Sequence, residues 1–212
     1  SMMPNGAAAP STSTTWGGRL LATITTEQAE LRSGIDYRAN DRSADLYMDM
    51  GKDGSYDMLV ARMWPAAEQR QAGLFAEMDY RSSPDDTLRL GLRLDRFDSQ
   101  VREATLNAGM MGSATPIRLY EQFYNTTETR SDDYGLSAVL GWDRRLDPAH
   151  SVSVNLSRSV RTPDSSEQWI ARSANGAFWV GNPTLNAEIH QQLDLTLMHE
   201  SGRLSWNASV FV

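Results

Sequence analysis

Met48 and Met50, spaced i, i+2 and followed by Met58 and Met63, are the side chains in this sequence best suited to binding chemistry, and Met110 and Met111 repeat the type further along. A thioether is a soft, uncharged donor that favours Cu(I) over hard cations. In extended backbone, residues two apart point the same way, so Met48 and Met50 can bracket one ion. Met48, Met50, Met110 and Met111 are therefore the candidate metal ligands. The competing reading is mechanical, because methionine is flexible and fills irregular packing gaps. Asp49, Asp53 and Asp57 lie beside the first pair and make an acidic segment that can attract cations. No nucleophile elbow or Gly-rich phosphate loop is visible, so no catalytic residue, enzymatic role or resident cofactor is expected.

The elements that must carry these residues announce themselves by period two, the mark of half-buried strands. Leu88, Leu90, Leu92 and Leu94 alternate with Arg89, Gly91, Arg93 and Asp95. A strand collects the leucines on one face and the charges on the other, whereas a helix would scatter them. Seven further segments repeat the grammar, marked by Trp16 to Ile24, Ala29 to Tyr37, Ala72 to Tyr80, Tyr134 to Trp142, Val152 to Leu156, Ile189 to Leu197 and Leu204 to Val210. Short connections near 26–28, 81–86, 145–149 and 200–202 alternate with long ones over 39–69, 99–130 and 158–187, and the short ones hold turn formers such as Ser83-Pro84-Asp85. Bacterial outer-membrane barrels have this asymmetry, short turns inside and long loops outside.

Composition narrows the class without naming it. Apolar residues are 40% and charged residues 22% of the 212-residue chain, mean hydropathy is −0.48, and no run approaches the roughly 20 apolar residues of a membrane helix. A barrel escapes that test because only alternate residues meet lipid. Net charge is −7, Lys52 is the sole lysine, and no basic cluster appears, so a nucleic-acid partner is not expected. Cysteine is absent, which removes disulfides and thiolate metal sites. The charged face carries Glu30, Arg32, Asp36, Arg38, Glu77, Asp79, Arg89, Arg93, Asp95, Asp143 and Asp194. Burying these in a small dry core would cost several kcal/mol per unpaired ion, so they belong in a wide lumen rather than in a soluble β-sandwich. Residues 1–13 read as a disordered leader or cloning scar, with the barrel from Thr14 to Val212.

Two motifs then carry a resemblance. Arg161-Thr162-Pro163-Asp164 with Glu167, followed by Gly181-Asn182-Pro183-Thr184-Leu185-Asn186-Ala187-Glu188, resembles the barrel of TonB-dependent outer-membrane receptors, with Ala187 where that family usually has proline. Gly34-Ile35-Asp36-Tyr37, Tyr47-Met48-Asp49-Met50-Gly51, Gly73-Leu74-Phe75-Ala76-Glu77, Leu92-Arg93-Leu94-Asp95-Arg96 and Gly109-Met110-Met111 are most similar to the copper receptors of that family. Those receptors carry a His/Met pair near Met48 and Met50, and no histidine lies nearby here.

The resemblance implies an all-β fold, an antiparallel up-and-down transmembrane β-barrel segment of about eight strands. This would be part of a barrel of roughly 22 strands, without the plug domain and its TonB-binding segment. It implies an outer-membrane location in a Gram-negative bacterium, contacts with lipid and lipopolysaccharide, TonB engaged through the plug, and a metal ion or metal chelate as cargo. Copper is the first expectation for that cargo and an iron–siderophore the alternative. A small closed eight-stranded barrel with an adhesin or structural role is the rival. Of the three histidines, His150 and His199 fall near separate inner turns, and only His190 is placed to meet cargo.

Overall fold

A computed structural model describes residues 6–49, 51, 53–107, 114–174 and 176–212. Its strands are β1 (Ala7–Ala8), β2 (Ser11–Thr25), β3 (Ala29–Met48), β4 (Met58–Arg81), β5 (Asp86–Val101), β6 (Arg130–Arg145), β7 (His150–Arg161), β8 (Ala171–Ala174), β9 (Ala177–Val180), β10 (Glu188–Ser201) and β11 (Leu204–Phe211), with helices α1 (Pro116–Tyr124) and α2 (Ser165–Trp169). Among the described residues β1 and β2 both pair with the same edge of β3, and β4, β5, β6, β7, β10 and β11 follow in order. The result is one antiparallel sheet of eight lanes, matching the strands expected from the sequence. Its edge lanes, β2 and β11, are not partners of each other, so neither the closed small barrel nor a two-sheet sandwich is formed.

Register explains why the alternating pattern selects this sheet. Directly opposed residues share a face, and the ladders join Leu20 to Ile35, Ile35 to Leu74, Leu74 to Leu94 and Leu94 to Leu136 in one unbroken row. A second row joins Leu90, Leu140, Leu156 and Leu193. These rows lie open on the outside of the sheet, with Leu74 57% exposed. An apolar surface of that extent demands a cover, and lipid is the cover for a sheet of this kind. Trp16 packs on Tyr37 at 5.1 Å, just beyond the Leu20–Ile35 row, while Trp142 and Trp206 sit near the short turns. The aromatics thus fall at the two borders of the apolar band.

The opposite face is wired by charge. Asp79 accepts from Arg32 at 3.0 Å and from Arg89 at 3.2 Å. Arg93 reaches Asp36 at 2.7 and 2.8 Å and Asp95 at 2.6 and 2.7 Å. That clasp crosses β3, β4 and β5 directly over Gly73, where any Cβ would collide with the Arg93 guanidinium. Gly73 is glycine because the ion pair occupies its side-chain space.

Beyond the apolar band the structure departs from the expected loops. A membrane strand needs only about 9–11 residues, yet β3 has 20 and β4 has 24. The segment 39–69, expected as a long loop, is mostly this tall hairpin, closed by residues 49–57. Above the membrane the ladder persists, but its faces meet water and other loops instead of lipid, so the apolar alternation that reveals strands fades. The β3–β4 ladder shifts register between Ala67 and Trp64, at Pro65 and Ala66, the latter at φ 51°, an uncommon left-handed conformation for a residue with a side chain. Segment 99–130 contains α1, and 158–187 contains α2 and the β8–β9 hairpin.

The first strand also begins earlier than Thr14. Within the segment read as a disordered leader, Ala7–Ala8 pair with Tyr47 and Met48, and β2 runs from Ser11. Asn40 donates its side-chain amide to Ser13 Oγ at 3.2 Å and to Thr15 Oγ1 at 2.7 Å. Polar Ser/Thr residues carry no lipid pattern, although Thr suits a pleated backbone.

Candidate functional site

The outer segments fold together into a cap with two small cores. In one, Ala67, Val101, Ala104, Leu119, Tyr120, Trp169 and Ala171 are buried together. Trp169 is fully enclosed. Its indole N–H donates to Ser99 Oγ at 2.5 Å, and its carbonyl accepts from the Tyr120 hydroxyl at 2.7 Å. One residue of α2 thereby ties β5 of the wall to α1. The other core gathers Ala44, Leu46, Met48, Val60, Ala61 and Met63, with Trp64 and Ile170 against it.

Met48 therefore serves the hairpin core, as does Met63, but Met48 sits at its edge. The β3–β4 ladder sets Met48 directly opposite Met58, so the two thioethers leave the hairpin on one face. Met58 is 37% exposed where Met48 is 9%, which leaves the pair open to solvent from the Met58 side. Sequence spacing pointed to Met50 as the companion of Met48; the cross-strand companion Met58 becomes visible only with the register. Met50, Met110 and Met111 lie outside the described residues. The acidic segment beside the pair builds the turn: Asp49 accepts from the Asp53 and Gly54 backbone N–H groups at 3.3 and 2.9 Å. Asp53 in turn accepts from the Ser55 N–H and hydroxyl.

Below the cap, on the charged side of the sheet, lies a cavity of about 540 Å³ bordered by Arg38, Arg42, Gln69, Arg70, Asp98 and Gln168 among others. Arg42 stacks on Trp64 at 3.8 Å and donates to Ser166 Oγ at 3.2 Å. Gln69 donates to the Pro163 carbonyl at 3.1 Å. Wall and cap are thus joined around its rim. A larger concavity over Leu20, Ile35, Leu74, Leu94 and Leu136 belongs to the lipid-facing surface and offers nothing to an aqueous ligand.

The two family-like motifs form a clasp that shapes segment 162–187. Arg161 bridges Glu167 at 2.9 and 3.0 Å and Glu188 at 2.9 Å. Asp164 caps α2 by accepting from the Ser166 and Glu167 N–H groups, and Glu167 returns a bond from the Asp164 N–H at 2.8 Å, a complete capping box. Gly181 and Asn182 then donate their N–H groups to Ile170 and Glu167 carbonyls at 2.7 and 2.8 Å. A Cβ on Gly181 would sit 2.6 Å from the Gln168 carbonyl carbon, so only glycine allows this approach.

The Arg161 guanidinium first, and then the Asp164 N–H, hold the Glu167 carboxyl below the usual carboxylate range. A carboxyl with a depressed native pKa contributes fully above its unfolded value, near pH ~4.3, and loses that contribution as pH falls through the native value. Hydrogen exchange across 164–182, corrected for the intrinsic rate, is expected to be constant between about pH 5 and 8 and to quicken below about pH 4. Glu167→Gln should remove most of that dependence; an unchanged profile in the variant would place the acid sensitivity elsewhere.

Among the histidines, His190 is exposed and faces Glu188 at 3.4 Å. His150 and His199, assigned by sequence to separate turns, are instead direct partners across β7 and β10.

A single antiparallel sheet with a lipid-type outer face, a charge-lined inner face, short turns at one end and a packed cap at the other is the wall of a transmembrane β-barrel. The chain belongs to the TonB-dependent receptor family: the model described as TonB dependent receptor-like, beta-barrel, matches residues 4–212. It is a family of outer-membrane receptors and transporters, in accord with the resemblance drawn from the two motifs. Among solved structures the chain is similar to the copper transporter OprC, at 26% identity and a TM-score of 0.77, covering 100% of this chain and 31% of that one. It is also similar to the Serratia marcescens hemophore receptor HasR, seen as a double mutant in complex with its hemophore HasA and heme. There the identity is 17%, the TM-score 0.64 and the coverage 97% of this chain and 33% of that one, a likeness of fold. The chain thus spans about a third of the length of each. No curated protein matches it.

Proposed function

We propose that this chain is the cargo-capturing wall of an outer-membrane receptor for scarce metal, with copper as the cargo. The observation that carries the reading is the Met48–Met58 cross-strand pair at the tip of the tall hairpin, with Met50 two residues further on. Neutral thioethers at a solvent-open tip suit Cu(I) and discriminate against the hard cations that crowd an anionic surface. The likeness to a copper transporter along the whole chain supports the same cargo. In this reading the short-turn end faces the periplasm, lipid and lipopolysaccharide cover the outer face, and TonB acts through a plug domain in a Gram-negative envelope.

The test is Cu(I) affinity of the complete receptor, measured against a chromophoric chelator. Met58→Ala, at an exposed position, is expected to weaken binding at least about tenfold, a loss of about 1.4 kcal/mol. The double change Met48→Ala/Met50→Ala should weaken it further. Met63→Leu, confined to the hairpin core, should leave it unchanged. Equal affinity in all variants would remove these residues as ligands. The cavity of about 540 Å³, lined by Arg38, Arg42 and Arg70 and also by Asp98, Asp132, Asp133 and Asp164, supports a second reading, a small iron chelate, through its volume rather than its charge. Tight binding of ferric citrate, lost in Arg38→Gln, would favour that reading over copper.

A further inference from the structure

At the opposite end of the wall from the cap, the β7–β10 register sets His150 across from His199. His150 Nε2 lies 3.0 Å from His199 Nδ1. Both rings are oriented before any ligand arrives. The turn ahead of β7 is closed by Leu146 N–H donating to the His150 carbonyl at 2.9 Å. Asp147 accepts from the Ala149 and His150 N–H groups at 2.7 and 2.9 Å. Its two carboxylate oxygens then stand 3.0 and 2.9 Å from His150 Nδ1. On the other side, His199 stacks on Trp206 at 5.5 Å with 17° between planes.

A carboxylate on Nδ1 fixes the tautomer of His150. Nδ1 carries the proton toward Asp147, and Nε2 presents a lone pair. This is the arrangement by which second-shell carboxylates prepare an imidazole for a metal ion. His199 Nδ1 then holds the proton that closes the 3.0 Å contact. Moving that proton to Nε2 of the same ring converts the pair into two lone pairs on neighbouring nitrogens, with no net proton released.

We propose that His150 and His199 form a two-imidazole site for a borderline divalent cation, Cu(II) or Ni(II), at the short-turn rim, with Asp147 as the residue that positions His150. The bite argues for these ions. With metal–nitrogen bonds of about 2.0–2.1 Å, nitrogens 3.0 Å apart subtend an angle of about 95°. That is near the right angle of square-planar or octahedral coordination and well short of the tetrahedral angle zinc prefers. Small rotations along the broad χ2 torsion of histidine aim both lone pairs at one ion, and both Asp147 oxygens are placed to follow His150. The pair shares the outer face of Val152 and Leu197, one step beyond the apolar band and level with Trp206, where water at the membrane border can complete the coordination. The site is independent of the thioethers at the far end, which select the reduced ion.

The experiment titrates Cu(II), as a simple salt without reductant, into the detergent-solubilised protein. Binding is followed by electron paramagnetic resonance and by quenching of Trp206 fluorescence. One equivalent is expected to show hyperfine coupling to two imidazole nitrogens and to quench fluorescence that Trp206→Phe lacks. His150→Gln and His199→Gln should each abolish the two-nitrogen signal. Asp147→Asn should weaken binding about 10–100-fold while keeping that signal, which a merely structural turn residue would not do. His190→Gln should change nothing. A Cu(II) signal that survives both His150→Gln and His199→Gln, or zinc outcompeting copper and nickel, would overturn the proposal. If a histidine variant fails to fold, judged by loss of the folded barrel's gel shift on heating, the Asp147→Asn affinity decides the question. Its failure leaves the Met48–Met58 reading untouched, because that test uses Cu(I).

Discussion

Replacing Trp169 by alanine is expected to lower the stability of the outer cap by about 3–5 kcal/mol, the usual cost of emptying a fully enclosed aromatic site. The residue is 0% exposed in a core with Leu119, Tyr120 and Ala171, and α2 is too short to relax around the void as a unit. Two hydrogen bonds add to the loss. Ser99 gives up the indole donor, and the Tyr120 hydroxyl keeps its carbonyl acceptor only if α2 stays in place. Trp169→Phe isolates the first of these and should cost less, about 1–2 kcal/mol for the bond beyond a smaller packing defect. Limited proteolysis reads the outcome: cleavage within 102–129 and 162–187 should accelerate together while the wall keeps its folded gel mobility. Acceleration in 162–187 alone would mean that the two segments are held independently.

The second large effect belongs to the wall. Arg93→Leu leaves Asp36 with only Arg19 across the ladder and leaves Asp95, which is only 7% exposed, with the Gln71 amide and no ion-pair partner. Breaking a buried ion pair by removing one partner costs about 3–5 kcal/mol. The Arg93 and Asp36 side chains are 28% and 25% exposed, so water relieves part of this and about 2–3 kcal/mol is the expected loss. Adding Asp36→Asn and Asp95→Asn to Arg93→Leu should recover much of it, because no orphaned charge remains. Urea unfolding in detergent micelles measures both steps. A triple variant no better than Arg93→Leu alone would show that the arginine acts through packing on Phe75, 5.8 Å from its guanidinium, rather than through charge.

How much of this was legible in the sequence follows from what each segment touches. Leu88 to Leu94 alternates cleanly because one side meets lipid and the other meets Asp79, Asp95 and Asp143, so both the strand and its facing could be read. The upper halves of β3 and β4 pair just as regularly, but their neighbours are water, α2 and β8, and the alternation disappears with the lipid. Residues 39–69 therefore looked like a loop. The capping box of α2 was present in plain form, Asp164-Ser165-Ser166-Glu167, and Pro116 opens a helix in which Leu119, Tyr120 and Phe123 share a face. Both signals are local and short, and they say nothing of what each helix packs against. Pairings between distant segments were not legible at all. Met48 with Met58 depends on the bulges near Ala44 and Leu46, and His150 with His199 on a register shared with the outer clasp at Arg161 and Glu188, eleven positions away along the ladder.

Because Trp169, Tyr120 and the upper part of β4 share one enclosed core, the outer segments of this chain are expected to tolerate exchange only as a set. Recombination that imports a single foreign segment brings a surface shaped for partners left behind, and the chimera exposes a cavity where the old side chains met. Exchange succeeds when 102–129, 162–187 and the tall hairpin travel together. Changes to the exterior that keep the cap folded are then expected either as wholesale replacement or at solvent-facing positions such as Tyr56 and Trp179.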